Sequence, residues 1–260
     1  MTRAGMGAVW GLELLKLRRS TVVRLITPIL TVLVPLGSIG AVALARSPSL
    51  PGSAAVKFAP YAIGDLMTNH LLVAGQILSV AVFTAGGFAA AWSYGREFAT
   101  GTAGALAGLA APRWAVGLVK AVLLAFWLSA CDVAALVVTG LLSLAAGGWP
   151  DAGAGQSAAV ALGSGLLAVA LVLPFGWVAT VTRSQLGTIG VLIAMVMVTQ
   201  ILVVLGAGAW FPYAVPSLLA GMGGPEAAAA IGPAAILLTA ALAPLAVLAV
   251  IAQWRRLDAT

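Results

Sequence analysis

Six apolar stretches dominate the chain, each near the length of helix that crosses a bilayer's hydrocarbon core, about 20 residues. They run from Leu25 to Ala45, Leu71 to Trp92, Ala115 to Ala146, Ser157 to Thr182, Leu186 to Ala209 and Ala234 to Gln253. Only Arg183-Ser184-Gln185 separates the fourth from the fifth, which predicts a tight helical hairpin. Composition agrees: 62% of the 260 residues are hydrophobic and 8% are charged. Soluble domains are charged at about a quarter of positions, and one this apolar would leave large sticky patches in water. Disordered chains are polar and charge-rich. The sequence reads as an all-α integral membrane protein, a single transmembrane domain over 1–260.

The few charges carry the topology. Of 13 Lys and Arg residues, Arg3, Lys16, Arg18, Arg19 and Arg24 precede the first span. Arg96, Arg113 and Lys120 surround the loop between spans two and three. Arg183 lies in the hairpin turn, and Arg255 and Arg256 lie in the tail. All of these fall on one side of a six-span layout, leaving only Arg46 and Lys57 on the other. Lys and Arg concentrate in cytoplasmic loops, so both termini are expected in the cytoplasm. The lead-in before the first span is about two dozen residues, and the apolar stretch is too long for the h-region of a cleaved signal peptide. Interfacial rings fit the same layout: Trp149, Trp210 and Tyr213 on the outer side, and Trp10, Trp92, Trp114 and Trp254 on the inner.

Four segments are not spans. Residues 5–20 place Met6, Trp10, Leu14 and Leu17 within one helical arc, which predicts an interfacial helix. The outer loop from Arg46 to His70 holds Pro48, Pro51 and Pro60, too many for one helix. The outer segment 210–232 is apolar but broken by proline and glycine. It reads as short helices dipping into the outer leaflet, a conformation tolerated where protein buries it or it lines a cavity. The inner loop 93–114 contains Thr100 or Thr102 as N-cap of a short helix, Ala103 to Ala111, stopped by Pro112.

Catalytic chemistry has little to stand on. No G-x-x-x-x-G-K-[ST] phosphate cradle occurs. One histidine and one cysteine, His70 and Cys131, cannot supply a metal-ligand cluster or an intrachain disulfide. Ser164, in Gly163-Ser164-Gly165, has no histidine expected near it. Asp132 is the lone carboxylate inside a span. A charge there costs a few kcal/mol or more unless paired. It is either a proton, cation or gating site on a pathway, or a structural group hydrogen-bonded to Gln200 or Thr199. Gly37, Gly40, Gly86 and Gly87 suit close helix packing, and Pro174 with Gly176 should kink span four.

With these residues in place, the chain resembles the membrane-spanning permease subunits of type-2 ATP-binding-cassette (ABC) transporters. Glu97-Phe98-Ala99-Thr100-Gly101-Thr102, the helix 103–111 and Pro112-Arg113 follow that family's coupling loop. Glu13-Leu14-Leu15-Lys16-Leu17-Arg18-Arg19 fits its basic connecting helix, and the broken segment before the last span also fits. The resemblance implies six spans in an exporter permease, with Glu97, Phe98, Gly101, Thr102, Pro112 and Arg113 coupling to the motor. It implies two copies of a cytoplasmic ABC ATPase, which carry the ATP and Mg. It also implies a second permease chain, the same or related. This chain would itself bind no cofactor and no nucleic acid, and would sit in a bacterial plasma membrane. Glu97 would pair with a cation of the ATPase, or else hold the loop through Arg96 or Arg113. The expected cargo is a hydrophobic or amphipathic molecule moved outward. The alternatives are a secondary transporter or channel working through Asp132, and a non-transporting sensor or assembly subunit.

Overall fold

The computed structural model describes residues 3–47, 59–101 and 112–257, and every regular element among them is a helix. The chain starts with α1, Arg3–Arg19. Six longer helices follow, each long and apolar enough to cross a membrane: α2 (Thr21–Ala45), α3 (Leu66–Ala99), α4 (Arg113–Ala145), α5 (Ala154–Thr182), α6 (Gln185–Val204) and, last in the chain, α9. Between α6 and α9 lie a 3-10 turn at Gly208–Trp210 and the short helices α7 (Val215–Leu219) and α8 (Gly224–Ala229). The final helix, α9, spans Pro233–Leu257. The segment 210–232 is thus broken into short helices at its prolines and glycines.

The second span differs most in extent from the sequence reading. The second span begins five residues earlier than expected and ends seven later. Its 34 residues make a rod of about 50 Å, longer than a hydrocarbon core of about 30 Å. Glu97 and Phe98 therefore sit on the last turn of α3 and not in a loop. His70, expected in the outer loop, is buried on α3, with Nδ1 2.9 Å from Ser143 Oγ of α4. Thr100, a candidate N-cap, instead ends α3: its hydroxyl donates to the Arg96 carbonyl at 2.8 Å. Gly101 follows at φ +69°, a left-handed position that costs glycine nothing. The expected helix 103–111, and Thr102 with it, lie outside the described residues.

Small residues decide which helices pack most closely. A methyl at Gly75 would come within 2.7 Å of Ala161 Cβ, so α3 and α5 touch backbone to backbone there. Further along α3, Gly86 accepts Val172 and Leu128, and Gly87 accepts Leu192 of α6. A methyl at Gly40 would meet nothing within 4 Å, so close packing does not explain that glycine. Helix α5 runs through Pro174, and Gly176 leaves room for the Tyr94 ring, whose hydroxyl donates to the Gly117 carbonyl at 2.9 Å. The α5–α6 hairpin turns at Arg183, φ 50°, and Ser184 Oγ accepts from the Gly187 N–H at 3.1 Å. In α2, Pro28 directly precedes a π-helical turn at Ile29–Leu33. Proline lacks the N–H that an α-helical ladder needs, and such turns absorb the break.

Both termini meet at one end of the bundle. Val9 of α1, Tyr94 of α3, Val119 of α4, Ala179 of α5 and Trp254 of α9 form one buried cluster there. Trp254, expected at an interface, is 1% exposed and donates from Nε1 to Thr180 Oγ1 at 3.2 Å. Tyr213 packs edge-on against Phe83 at 5.5 Å and Phe175 at 6.4 Å. Trp149 and Trp210 are exposed, at 75% and 87%.

Candidate functional site

Four charged side chains converge at the terminal end. Lys16 of α1 contacts Glu13 at 2.8 Å and Glu97 of α3 at 2.9 Å. Lys120 of α4 contacts the same two carboxylates, Glu13 at 2.7 Å and Glu97 at 3.0 Å, and donates to the Ser93 carbonyl at 3.2 Å. Glu13, Glu97 and Lys120 are buried, and Lys16 closes the cluster toward solvent. Among the described residues, its two acids and two bases balance in charge. Each charge therefore has the partners that a low-dielectric site demands. Burial works against the Lys16 charge, but its hydrogen bonds to Glu13 and Glu97 outweigh this and hold its ammonium above the usual value.

The local folding follows from spacing. On α1, Val9, Glu13 and Lys16 share the face turned to the bundle, while Trp10 and Leu14 of the predicted apolar arc are exposed. The arc read from the sequence therefore overlaps the buried face only in part: Met6 and Leu17 pack against the buried cluster, beside the buried acid Glu13. Lys120 reaches the cluster from the second turn of α4, and Glu97 from the last turn of α3. The cluster therefore brackets the 102–111 segment at both of its roots. The adjoining crevice, beside Trp92 and Arg96, holds about 10 Å³, room for one water and no larger ligand.

Phe98 lies 6.4 Å from the Trp254 ring. Pro112 stands at the N-cap of α4, and Arg113 opens that helix. Arg96, one of two internal partners considered for Glu97, places its guanidinium 4.7 Å over the Trp92 ring. The lysines that do hold Glu97 are Lys16 and Lys120. One signal pointed to them: Lys120 is a cation inside an apolar span, and such a charge needs an acid within reach. Distance in sequence, 107 residues from Glu13 and 23 from Glu97, hid which acid.

Asp132 lies at the opposite extreme. It is fully buried, and neither carboxyl oxygen has a hydrogen-bond partner among the described residues. The expected partners are elsewhere: Thr199 donates to the Met195 carbonyl at 2.7 Å, and Gln200 is exposed. Asp132 packs instead against α5, where a methyl at Gly165 would overlap its carboxylate. The neighbouring Ser164 hydroxyl is also buried without a partner among the described residues. Among those residues no group of three or more His, Cys, Asp or Glu could hold a metal ion.

The model of the family described as "ABC-2 family transporter protein" matches residues 11–201. Comparison with curated proteins and with solved structures yields no match. The matched region begins inside α1 and takes in α2 to α5 and most of α6, so it includes all four members of the charged cluster. With six helices of spanning length, the chain belongs to the ABC-2 transporter family, as a multi-pass membrane permease subunit that is not itself an ATPase.

Proposed function

We propose that this subunit moves a hydrophobic or amphipathic molecule outward across a bacterial plasma membrane, driven by a separate ABC ATPase. A drug, a peptide antibiotic or a lipid-linked molecule fits. Two ATPase copies bind ATP and Mg, two permease chains make the pathway, and both termini face the cytoplasm. The observation that carries this reading is the Glu13–Lys16–Glu97–Lys120 cluster. It ties α1 to the roots of the 102–111 segment, so a push on that segment moves α1, α3 and α4 together. Coupling between an ATPase and a pathway needs a rigid contact of this kind that moves between two global states. Glu97, Phe98, Gly101, Thr102, Pro112 and Arg113 make up the coupling region.

The test is reconstitution with the matched ATPase and measurement of ATP-driven transport. Glu97→Gln, or deletion of residues 103–111, should lower transport while membrane insertion persists. Unchanged transport in both variants would remove the coupling assignment. Failure of any ATPase subunit to form a stable complex would remove the whole reading. Asp132, without a hydrogen-bond partner among the described residues, favours one alternative, a secondary transporter or channel. Uptake that needs a proton gradient but no ATP, and that Asp132→Asn abolishes, would establish it.

A further inference from the structure

The far end of the bundle holds a cavity of about 570 Å³, within the size range of sites that enclose drug-sized ligands. Its walls come from one chain. They are the first turns of α3, the first turns of α5, the stretch joining α7 to α8 with α8 itself, and Pro60 and Tyr61 ahead of α3. Gly75 and Ala161 form its floor, where α3 and α5 meet backbone to backbone. Gly221, at φ +91°, carries the α7–α8 connection close over Gln76: a methyl there would lie 3.4 Å from Gln76 Nε2.

The lining has two characters. Tyr61, Gln76, Gln156 and Ser157 supply hydrogen-bonding groups, while Leu72 and Leu219 supply apolar walls. The Tyr61 hydroxyl donates to Gln76 Oε1 at 2.8 Å. That bond occupies the amide's acceptor and leaves its N–H groups as donors. Among the described residues, no Asp, Glu, Lys, Arg or His lines the cavity. The described lining offers a charged ligand no opposite charge in return for its lost hydration. A ligand with an uncharged polar head and an apolar body would satisfy both parts of the wall.

We propose that this cavity is a binding station for an uncharged amphiphile, held within a single permease chain between α3, α5 and the α7–α8 connection. The inference rests on the transport reading above and gives its substrate a class and a place. On the proposed topology the station lies on the outer side, where exported cargo is released.

The test uses the full chain in phosphatidylcholine nanodiscs and a photoactivatable monoacylglycerol, with labelled peptides mapped by mass spectrometry. Labelling should concentrate on residues 72–76, 156–161 and 219–228. Ala228→Trp fills the cavity from the exposed short helix α8, and Gln76→Leu removes the donor. Each should lower labelling there roughly tenfold, the effect of about 1.4 kcal/mol. Labelling of the lipid-facing surfaces of α6 and α9 should stay constant and so report an intact fold. Equal labelling in variants and wild type, or labelling no denser in the cavity than on α6 and α9, overturns the proposal. Equal labelling by the matching fatty acid, whose head is a carboxylate, overturns the uncharged class. Transport separates this proposal from the reading beneath it. Cavity labelling that the variants abolish, in a complex that moves no amphiphile with ATP, keeps the station and removes the export reading. ATP-driven transport that both variants leave unchanged keeps the export reading and removes the station.

Discussion

Glu97 and Asp132 are two buried carboxylates on adjacent long helices, and their surroundings are opposite. Glu97 shares two lysines with Glu13, in a cluster reaching across α1, α3 and α4. Asp132 is fully buried against Gly165, with no hydrogen-bond partner among the described residues. A paired charge resists the loss of one partner strongly, because the remaining charge is left uncompensated in the interior. An unpaired group has no partner to lose. Burial alone therefore says little about what a membrane carboxylate does. The neighbours decide whether it is a structural tie or a group free to react to its surroundings.

The largest effect should come from the paired side. Lys120→Met removes a contact to both Glu13 and Glu97 and should cost about 3–5 kcal/mol of stability, read as unfolding in detergent. Its combination with Glu97→Gln should cost less than the two single changes together, because they share one network. Additive losses would mean that the four charges do not act as a unit.

Next comes the contact beneath Asp132. Gly165→Ala drives a methyl into the carboxylate and should destabilise by about 1–3 kcal/mol, as overpacking does. In an Asp132→Ala background most of that loss should disappear. A loss that persists there would place the clash elsewhere on α5.

Asp132→Asn should change stability by less than about 1 kcal/mol, since no hydrogen bond is broken. A loss as large as that of Lys120→Met would show that Asp132 is tied as firmly as Glu97, and would dissolve the contrast.

The smallest effect belongs to the far end. Asp151 accepts from the Thr68 hydroxyl and from the N–H groups of Gly153 at 2.9 Å and Ala154 at 2.8 Å, capping the first turn of α5. The Thr68 hydroxyl first, then the backbone N–H groups, hold its carboxyl below the usual range. A depressed acid stabilises above its unfolded value, about 3.9, and that contribution fades as pH falls through its lower folded value. Asp151→Asn should therefore melt slightly lower than wild type at neutral pH. The gap should close when both are measured in strong acid. A gap that is constant with pH would mean that the capping geometry matters and the charge does not.

The spans were legible because their signal is local and repeated. About 20 apolar residues in a row read the same whatever packs beside them, and Arg183-Ser184-Gln185 could only be a turn. The broken outer segment was legible for the same reason, through its prolines and glycines. The ends of α3 were not. Polar residues such as Asn69, His70, Ser93 and Glu97 look like loop in sequence, and they stay helical because neighbouring helices bury and bond them. Glu97 stood out in the sequence by its motif, but its partners Lys16 and Lys120 did not.

The sequence by itself determined the number of membrane helices, the hairpin, the interrupted outer segment and the membership of a permease family, because all of these are written in composition and short motifs. Only the tertiary structure decided which charges meet. The helical period placed Glu13 near a face of α1, but the approach of α3 and α4 selected that face and paired its acid. The same approach left Asp132 alone against a glycine, and left a chamber open between α3 and α5. Each outcome depends on distances of a few ångströms between residues far apart in the chain, and no local pattern encodes them.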